Sequence, residues 1–357
     1  MKLALFRVDG SHHLGVGHVM RCLAFAQGLG KVGVRSLFVT RDYEQRITEL
    51  IQHHVYDVET IPQSCSFVED ASLTSEFASR YSVSLIVNDL SHTDNVANLE
   101  EYNRYFQAMK AANKFMITID DFTKTNFPHD IQIIPYYGAE NMNYECHGST
   151  KLLLGPAYFI FRQEFIEAAK GSREIRKDAR NILVTMGGSD LLNLTIKVAK
   201  ALNRLNVTSL NLRIIIGPGF ATAVKPEVET ILEGYRGNHE LLMARDEIAD
   251  LMLWSDLAIT GGGLTKYETA VTGTPSIIIS HFDEEAKRTE EFARGGSILH
   301  LGLISEIDEG DIVKAVEKLL KDDVLRAEMS KRGRNLVDGK GIERIISEIP
   351  QQILGNF

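Results

Sequence analysis

A chain of 357 residues, 44% hydrophobic and 24% charged, is longer than one typical core supports, so two domains of about 150–180 residues each are expected. Its 28 glycines against 8 prolines exclude a collagen-like or disordered chain, and no apolar run reaches the ~18 residues that a membrane span requires. A formal net charge of −9 argues against nucleic acid as a partner, because phosphate-backbone affinity accumulates through Lys and Arg; an anionic ligand must instead be held by local amides and a few cations.

Short β-type runs alternate with longer helical patterns throughout. The first half offers strands at 2–7 (KLALFR), 35–39 (RSLFV), 84–88 (SLIVN) and 114–119 (KFMITI), with amphipathic stretches at about 19–31, 43–53, 66–80 and 95–112. After a polar joint at 171–180 (GSREIRKDAR), the rhythm repeats with strands at 181–186, 212–217, 256–260 and 275–280, and the last stretch reads as helical. Near-continuous Ile, Val and Leu in strands fits parallel sheets covered on both faces. The expected fold is α/β, two doubly wound Rossmann-like domains facing a cleft. The boundaries predicted are 1–172 for the first, 173–335 for a nucleotide-binding second, and 336–357 for a helical tail. Ligands of such sheets gather at the carboxyl ends of the strands. Three cysteines, Cys22, Cys65 and Cys146, lack metal-ligand spacing and fit reduced thiols. Arg7 and Asp9 interrupt the apolar start, so no signal peptide is read and a cytoplasmic location is expected.

The first strand runs into VDGSHHLGVGHVMRC, where Gly10, Gly15 and Gly17 permit a tight turn and a helix starts near Gly17 or His18. A helix start presents unpaired amides and partial positive charge to an anion. The dinucleotide fingerprint is missing: its third glycine would fall on Met20, and the second strand closes on Val39, Thr40 and Arg41 without an acidic residue. His18 is the candidate base, since an imidazole can take or give a proton near neutrality; the alternative is a packing histidine. Asp9 either orients an imidazole or a substrate hydroxyl, or caps the turn, and Arg7 shares the loop. His12 and His13 read as loop residues, and no metal or cofactor is expected.

Two loops carry the second domain. At 185–195 (TMGGSDLLNLT), Gly187 and Gly188 supply a turn, Ser189 and Asp190 are good capping types, and Asn193 lies one turn in. At 259–275 (ITGGGLTKYETAVTGTP), Gly261 to Gly263 precede a helix and suit a diphosphate cradle, with Glu268 placed to accept from a ribose diol; no GK[ST] follows, so it is not a P-loop. A third segment, 281–296, is expected to flank the sugar, although its charges also suit a solvated helix face.

Taken together, RVDGSHHLGVGHVMRCLAFA, LLLGPAYFIFRQEF, VTMGGSD and ITGGGLTKYETAVTGTP resemble, over about residues 1–300, the nucleotide-sugar hydrolases of pseudaminic acid synthesis and their spore-coat polysaccharide relatives. These are similar in turn to the GT-B transferase that adds N-acetylglucosamine in peptidoglycan synthesis. The resemblance implies hydrolysis of UDP-2,4-diacetamido-2,4,6-trideoxy-β-L-altrose by water at C1, without a metal, with a UDP-sugar as the partner substrate. It implies His18 and Asp9 as the catalytic residues. For substrate binding it implies Gly187, Gly188, Ser189, Gly262, Gly263, Thr265, Tyr267 and Glu268, and Arg7, Gly15, Gly17 and Leu264 in the same loops are expected to join them. Tyr158 and Arg162 match a further pattern, with a structural role expected. The chain departs from the family where D-x-Y is common, with Leu90 or His92 standing where the tyrosine would be sought. It departs again where a glutamine is usual near 284–285, with Glu284 and Glu285.

The chemistry needs a base for water, amides for the departing UDP and exclusion of bulk water. A GT-B glycosyltransferase would use the same loops with an acceptor hydroxyl in place of water. A hydrolysing UDP-sugar 2-epimerase would eliminate UDP and invert C2, and a nucleotide-sugar sensor would bind without turnover.

Overall fold

In a computed structural model of the protein, residues 2–11, 16–41, 43–90, 99–119, 129–145, 148–205, 207, 209–243 and 247–355 are described. They form two compact units, Met1–Arg162 with Lys340–Phe357, and Gln163–Gly339.

In the first unit the elements run β1 (Leu3–Val8), α1 (Gly17–Lys31), β2 (Arg35–Arg41), α2 (Gln45–His53), β3 (Asp57–Ile61), α3 (Phe67–Arg80) and β4 (Leu85–Asp89). They continue through α4 (Leu99–Lys110), β5 (Phe115–Ile119), β6 (Ile131–Ile134) and β7 (Lys151–Leu154). The strands pair in parallel in the order β3-β2-β1-β4-β5-β6-β7. The inner strands are buried because their runs are apolar on both faces: β4 reads LIVND and is buried at every position. Phe6 of β1 stacks on Phe38 of β2 at 5.1 Å and meets Phe25 of α1 edge-on at 5.8 Å, which seats α1 on the sheet. A capping box between Ser66 and Glu69 starts α3.

In the second unit α5 (Gln163–Lys170) comes first, then β8 (Asn181–Thr185), α6 (Leu194–Asn203), β9 (Asn211–Ile216), α7 (Val224–Leu232), β10 (Asn238–Met243) and α8 (Ala249–Trp254). After these come β11 (Leu257–Gly261), α9 (Thr265–Thr272), β12 (Ser276–Ser280), α10 (Asp283–Ala293), β13 (Ile298–Leu303), α11 (Glu309–Lys321) and α12 (Asp323–Leu336). The parallel order is β10-β9-β8-β11-β12-β13. The core lies where Ile182, Val184, Ile259, Ile277 and Ile279 of the strands meet Leu194, Val198 and Leu202 of α6. Among the described residues no helix is long and apolar enough to cross a membrane.

The chain passes between units after Arg162, earlier than the joint expected at 171–180. That polar stretch is tied down: Arg173 donates to the carbonyls of Met252, Leu253 and Ser255, Arg176 pairs with Asp256 at 2.8 Å, and Arg326 donates to the carbonyls of Arg176 and Lys177. Glu164 of α5 accepts the amides of Ile248 and Ala249, at 2.7 Å each, so α5 is built into the second unit. The C-terminal helices α13 (Gly341–Ser347) and α14 (Gln351–Leu354) return to the first unit. There a Cβ on Gly341 would collide with the carbonyl of Phe159, and one on Gly28 of α1 would collide with Ile342.

Candidate functional site

In each sheet the connections run outward to one edge and then return to the strand beside the starting one. The switch points are therefore β1/β4 and β8/β11, where doubly wound sheets open a crevice at their carboxyl ends.

At the first switch point, α1 follows β1 and carries His18 as its second residue, while Asp89 ends β4. His18 Nδ1 lies 2.7 Å from Asp89 Oδ1. Arg21, one turn along α1, donates to both oxygens of Asp89, at 2.8 and 2.7 Å, and to the hydroxyl of Tyr136 at 3.0 Å. Burial on its own would raise the Asp89 carboxyl, but Arg21 and His18 outweigh it and hold the group ionised, well below the usual carboxylate range. An ionised carboxylate only accepts, so toward Asp89 the Nδ1 atom is the donor, while Arg21 Nη2, itself only a donor, lies 3.1 Å from the same nitrogen and competes for it. The His18 side chain is 30% exposed whereas Asp89 is fully buried, so a partly exposed ring is held by a buried carboxylate. Cys22, a free thiol, packs against the same carboxylate at 3.5 Å, and burial raises it well above its ordinary value.

Asp89, rather than Asp9, is thus the carboxylate that orients His18. Asp9 faces the other way, toward β2: both its oxygens accept from Arg7, at 2.6 and 2.9 Å, and one also accepts the Arg41 amide at 2.9 Å. Arg7 is buried and also donates to both oxygens of Asp70, at 2.9 and 2.6 Å, while Arg41 reaches Asp70 at 3.0 Å. These four charges knit β1, β2 and α3 together, so Arg7 has no face for a ligand and Asp9 is a structural acceptor. Gly17 begins α1 and is exposed; Gly15, His12, His13, His92 and Cys146 lie outside the described residues. Leu90 is buried in the core against Tyr102 and Phe106, so it does not stand in for a tyrosine toward a sugar.

At the second switch point three loops converge. Gly187 adopts φ +77, a left-handed conformation that glycine takes without strain, and a Cβ there would lie 3.9 Å from Thr265 Oγ1 at the start of α9. The loop after β9 closes on the same place: Gly219 N donates to Gly188 O at 2.8 Å, and a Cβ on Gly217 would lie 2.5 Å from Gly187 O. Gly188, Ser189, Gly263 and Leu264 are exposed around it, and α9 starts without a side-chain cap. Asp190 does not face this opening: its oxygens accept the amides of Leu194 and Thr195, both at 2.7 Å, starting α6 beyond Asn193 in its left-handed conformation.

Behind the Gly261–Gly263 turn lies a second set of charges. A Cβ on Gly261 would be 2.9 Å from His281 Cε1, and one on Gly262 would be 2.7 Å from Glu285 Cγ and from Thr289 Oγ1. His281 sits between Glu285 (3.2 Å) and Asp190 (3.6 Å); burial lowers it, yet these carboxylates win and push it up to about 9. Lys266 is buried and donates to the carbonyls of Gly262 and Gly263; burial pulls its amine down to about 8 against the opposing charge of Glu285. Glu285 therefore serves the rear of the turn, while Glu284 is exposed and paired with Lys287, so the segment expected to flank a sugar is engaged elsewhere at both positions. Tyr267 is buried, its ring 4.8 Å from Phe292, so it packs α9 onto α10 instead of lining the opening. Glu268 is half-buried in the first turn of α9. Among the described residues no group of three His, Cys, Asp or Glu is placed to hold a metal.

Sequence reading missed Asp89, Arg21, Lys266, His281 and the Gly217–Gly219 loop. Only the last had a local signal, the GPG that follows β9.

Residues 181–345 match the glycosyltransferase family 28 C-terminal domain. The chain is 27% identical over 348 residues to the spore coat polysaccharide biosynthesis protein SpsG of Bacillus subtilis, covering 97% of this chain and 96% of the relative. It is 24% identical over 212 residues to the UDP-2,4-diacetamido-2,4,6-trideoxy-beta-L-altropyranose hydrolase of Campylobacter jejuni, 58% of this chain and 68% of that one. Among solved structures, Acinetobacter baumannii MurG superposes with a TM-score of 0.70 at 14% identity, covering 97% of this chain and 99% of that one. The fold is GT-B, two Rossmann-like parallel-sheet domains.

Proposed function

We propose that this protein hydrolyses a nucleotide sugar, taking a UDP-linked diacetamido-trideoxyhexose to UDP and the free sugar for synthesis of a pseudaminic-type nonulosonic acid. The observation that carries the reading is the His18–Asp89 contact at the β1/β4 switch point, which holds a partly exposed imidazole by its Nδ1 side. In the reaction, Nε2 takes a proton from water as the water oxygen bonds to C1. The bond from C1 to the β-phosphate oxygen breaks, its electron pair leaving with UDP, and a single displacement of this kind inverts the anomeric centre. Main-chain amides at Gly263 and Leu264, with Gly187 and Gly188 opposite, meet the charge of the diphosphate, and Glu268 accepts from the ribose. The hydrolase from Campylobacter supports this chemistry by its name, and the spore-coat relative supports a role in making a surface glycan.

Glycosyl transfer is the second reading, favoured by the match of residues 181–345 to a glycosyltransferase domain. There an acceptor hydroxyl replaces water and His18 keeps its role. One experiment separates the readings: purified protein is incubated with UDP-linked mono- and diacetamido hexoses in H₂¹⁸O, and products are read by mass. Free sugar carrying one ¹⁸O, with no acceptor present, is the expected result. Turnover that requires an added acceptor would establish transfer, and incorporation of solvent deuterium at C2 in D₂O would establish epimerisation.

A further inference from the structure

We infer that Lys266 is a positioning residue that aims the amides of Gly263 and Leu264 at the diphosphate of the nucleotide substrate. This rests on the proposed nucleotide-sugar reading and assigns a cause to its phosphate cradle. A lysine in the first turn of a surface helix ordinarily extends into water; here it is 6% exposed and folds back beneath its own helix start. Its ammonium bonds the carbonyl of Gly262 and, at 3.1 Å, that of Gly263, and Thr289 Oγ1 adds a second donor to Gly262 O at 3.3 Å. A trans peptide is planar, with its C=O and N–H on opposite sides. Pinning the Gly262 and Gly263 carbonyls inward therefore turns the N–H groups of Gly263 and Leu264 outward. The outward side is open, for a Cβ on Gly263 would meet nothing within 4 Å, whereas a Cβ on Gly262 would strike Glu285 and Thr289. Glu285 supplies the opposing charge that keeps a buried ammonium tolerable. The lysine does not touch the ligand; it sets the two donors that do, and its positive charge lies just behind them.

The test compares wild type, Lys266→Met and Thr289→Val by calorimetric titration with UDP and with uridine, CDP and GDP being run beside UDP on the wild type. Methionine keeps the length of the stem and removes the ammonium. Lys266→Met is expected to weaken nucleoside diphosphate binding by about tenfold or more while leaving uridine binding within about twofold, because only the phosphates use the aimed amides. Thr289→Val, which leaves the ammonium in place, is expected to show the same selectivity with a smaller loss, and it carries the test if the methionine variant does not fold. Equal UDP affinity in wild type and Lys266→Met overturns the inference, as does a parallel loss for uridine, which marks a general structural role. A wild type that binds no nucleoside diphosphate overturns the nucleotide reading itself, and the inference with it.

Discussion

His18 Nδ1 and Asp89 Oδ1 are 2.7 Å apart although 71 residues separate them in the chain. The pairing of β1 with β4 makes the contact, and it ties a partly exposed histidine to a buried carboxylate. If His18 is the base, His18→Ala or His18→Asn lowers turnover of the UDP-sugar by ~10²–10⁴-fold, the usual reach of general-base catalysis. UDP affinity measured by calorimetry changes by less than about twofold. Turnover near that of wild type in either variant would remove His18 from the chemistry.

Asp89→Asn has a different signature. It leaves the Arg21 guanidinium buried with its principal counter-charge gone, so unfolding free energy falls by about 3–5 kcal/mol, against less than about 1 kcal/mol for His18→Asn. Denaturant titration of the two variants side by side measures the contrast. Equal losses would mean that Asp89 holds the imidazole and does little for Arg21.

Adjacent glycines of the β11–α9 turn are predicted to differ sharply in their tolerance of one methyl group. Gly262→Ala places a Cβ 2.7 Å from Glu285 Cγ and Thr289 Oγ1, both in the wall behind the turn, and costs about 1–3 kcal/mol. Gly263→Ala meets open space in the free protein and stays within about 0.5 kcal/mol. Thermal unfolding midpoints of the two variants without nucleotide check this, and a large loss at 263 alone would show that the turn is held differently.

His281 gives a pH dependence whose sign is fixed. Its folded pKa, raised to about 9, lies above the ~6.5 of an unfolded histidine, so the folded state binds the extra proton between those values. The stabilisation is complete below pH ~6.5 and disappears as pH rises through about 9. Lys266, lowered to about 8, contributes with the opposite sign between about 8 and ~10.4, so the comparison is made at each pH between wild type and His281→Gln. The stability difference shrinks by on the order of 1–3 kcal/mol between pH 6 and 9.5. A difference that stays flat across that range would show that His281 is neutral in the folded state.

The sheet centres were legible because their strands are continuous apolar runs: 181–186 became β8 and 275–280 became β12 almost unchanged. β3 (DVETI) and β10 (NHELLM) escaped detection because edge strands with polar residues on an exposed side lose that signal. β6 and β7, four residues each, are too short for periodicity to register. In the site, His18 and the glycine turns could be read locally, since their spacing alone marks a strand-to-helix turn. Asp89 could not, because its role comes from strand order, and it ends a run that reads as core. Lys266 was hidden for a simpler reason. Nothing in TKYET distinguishes a lysine that folds under its helix from one that reaches into water.

The path of the chain has a consequence for biosynthesis. Because residues 163–339 are inserted between the two parts of the other unit, they leave the ribosome in full before residues 340–357 emerge. The unit begun first is therefore completed last: until α13 arrives, the faces of Gly28 and Phe159 that it covers stay bare. A nascent chain stalled after Gly339 would hold every segment of the second unit and an unfinished first one.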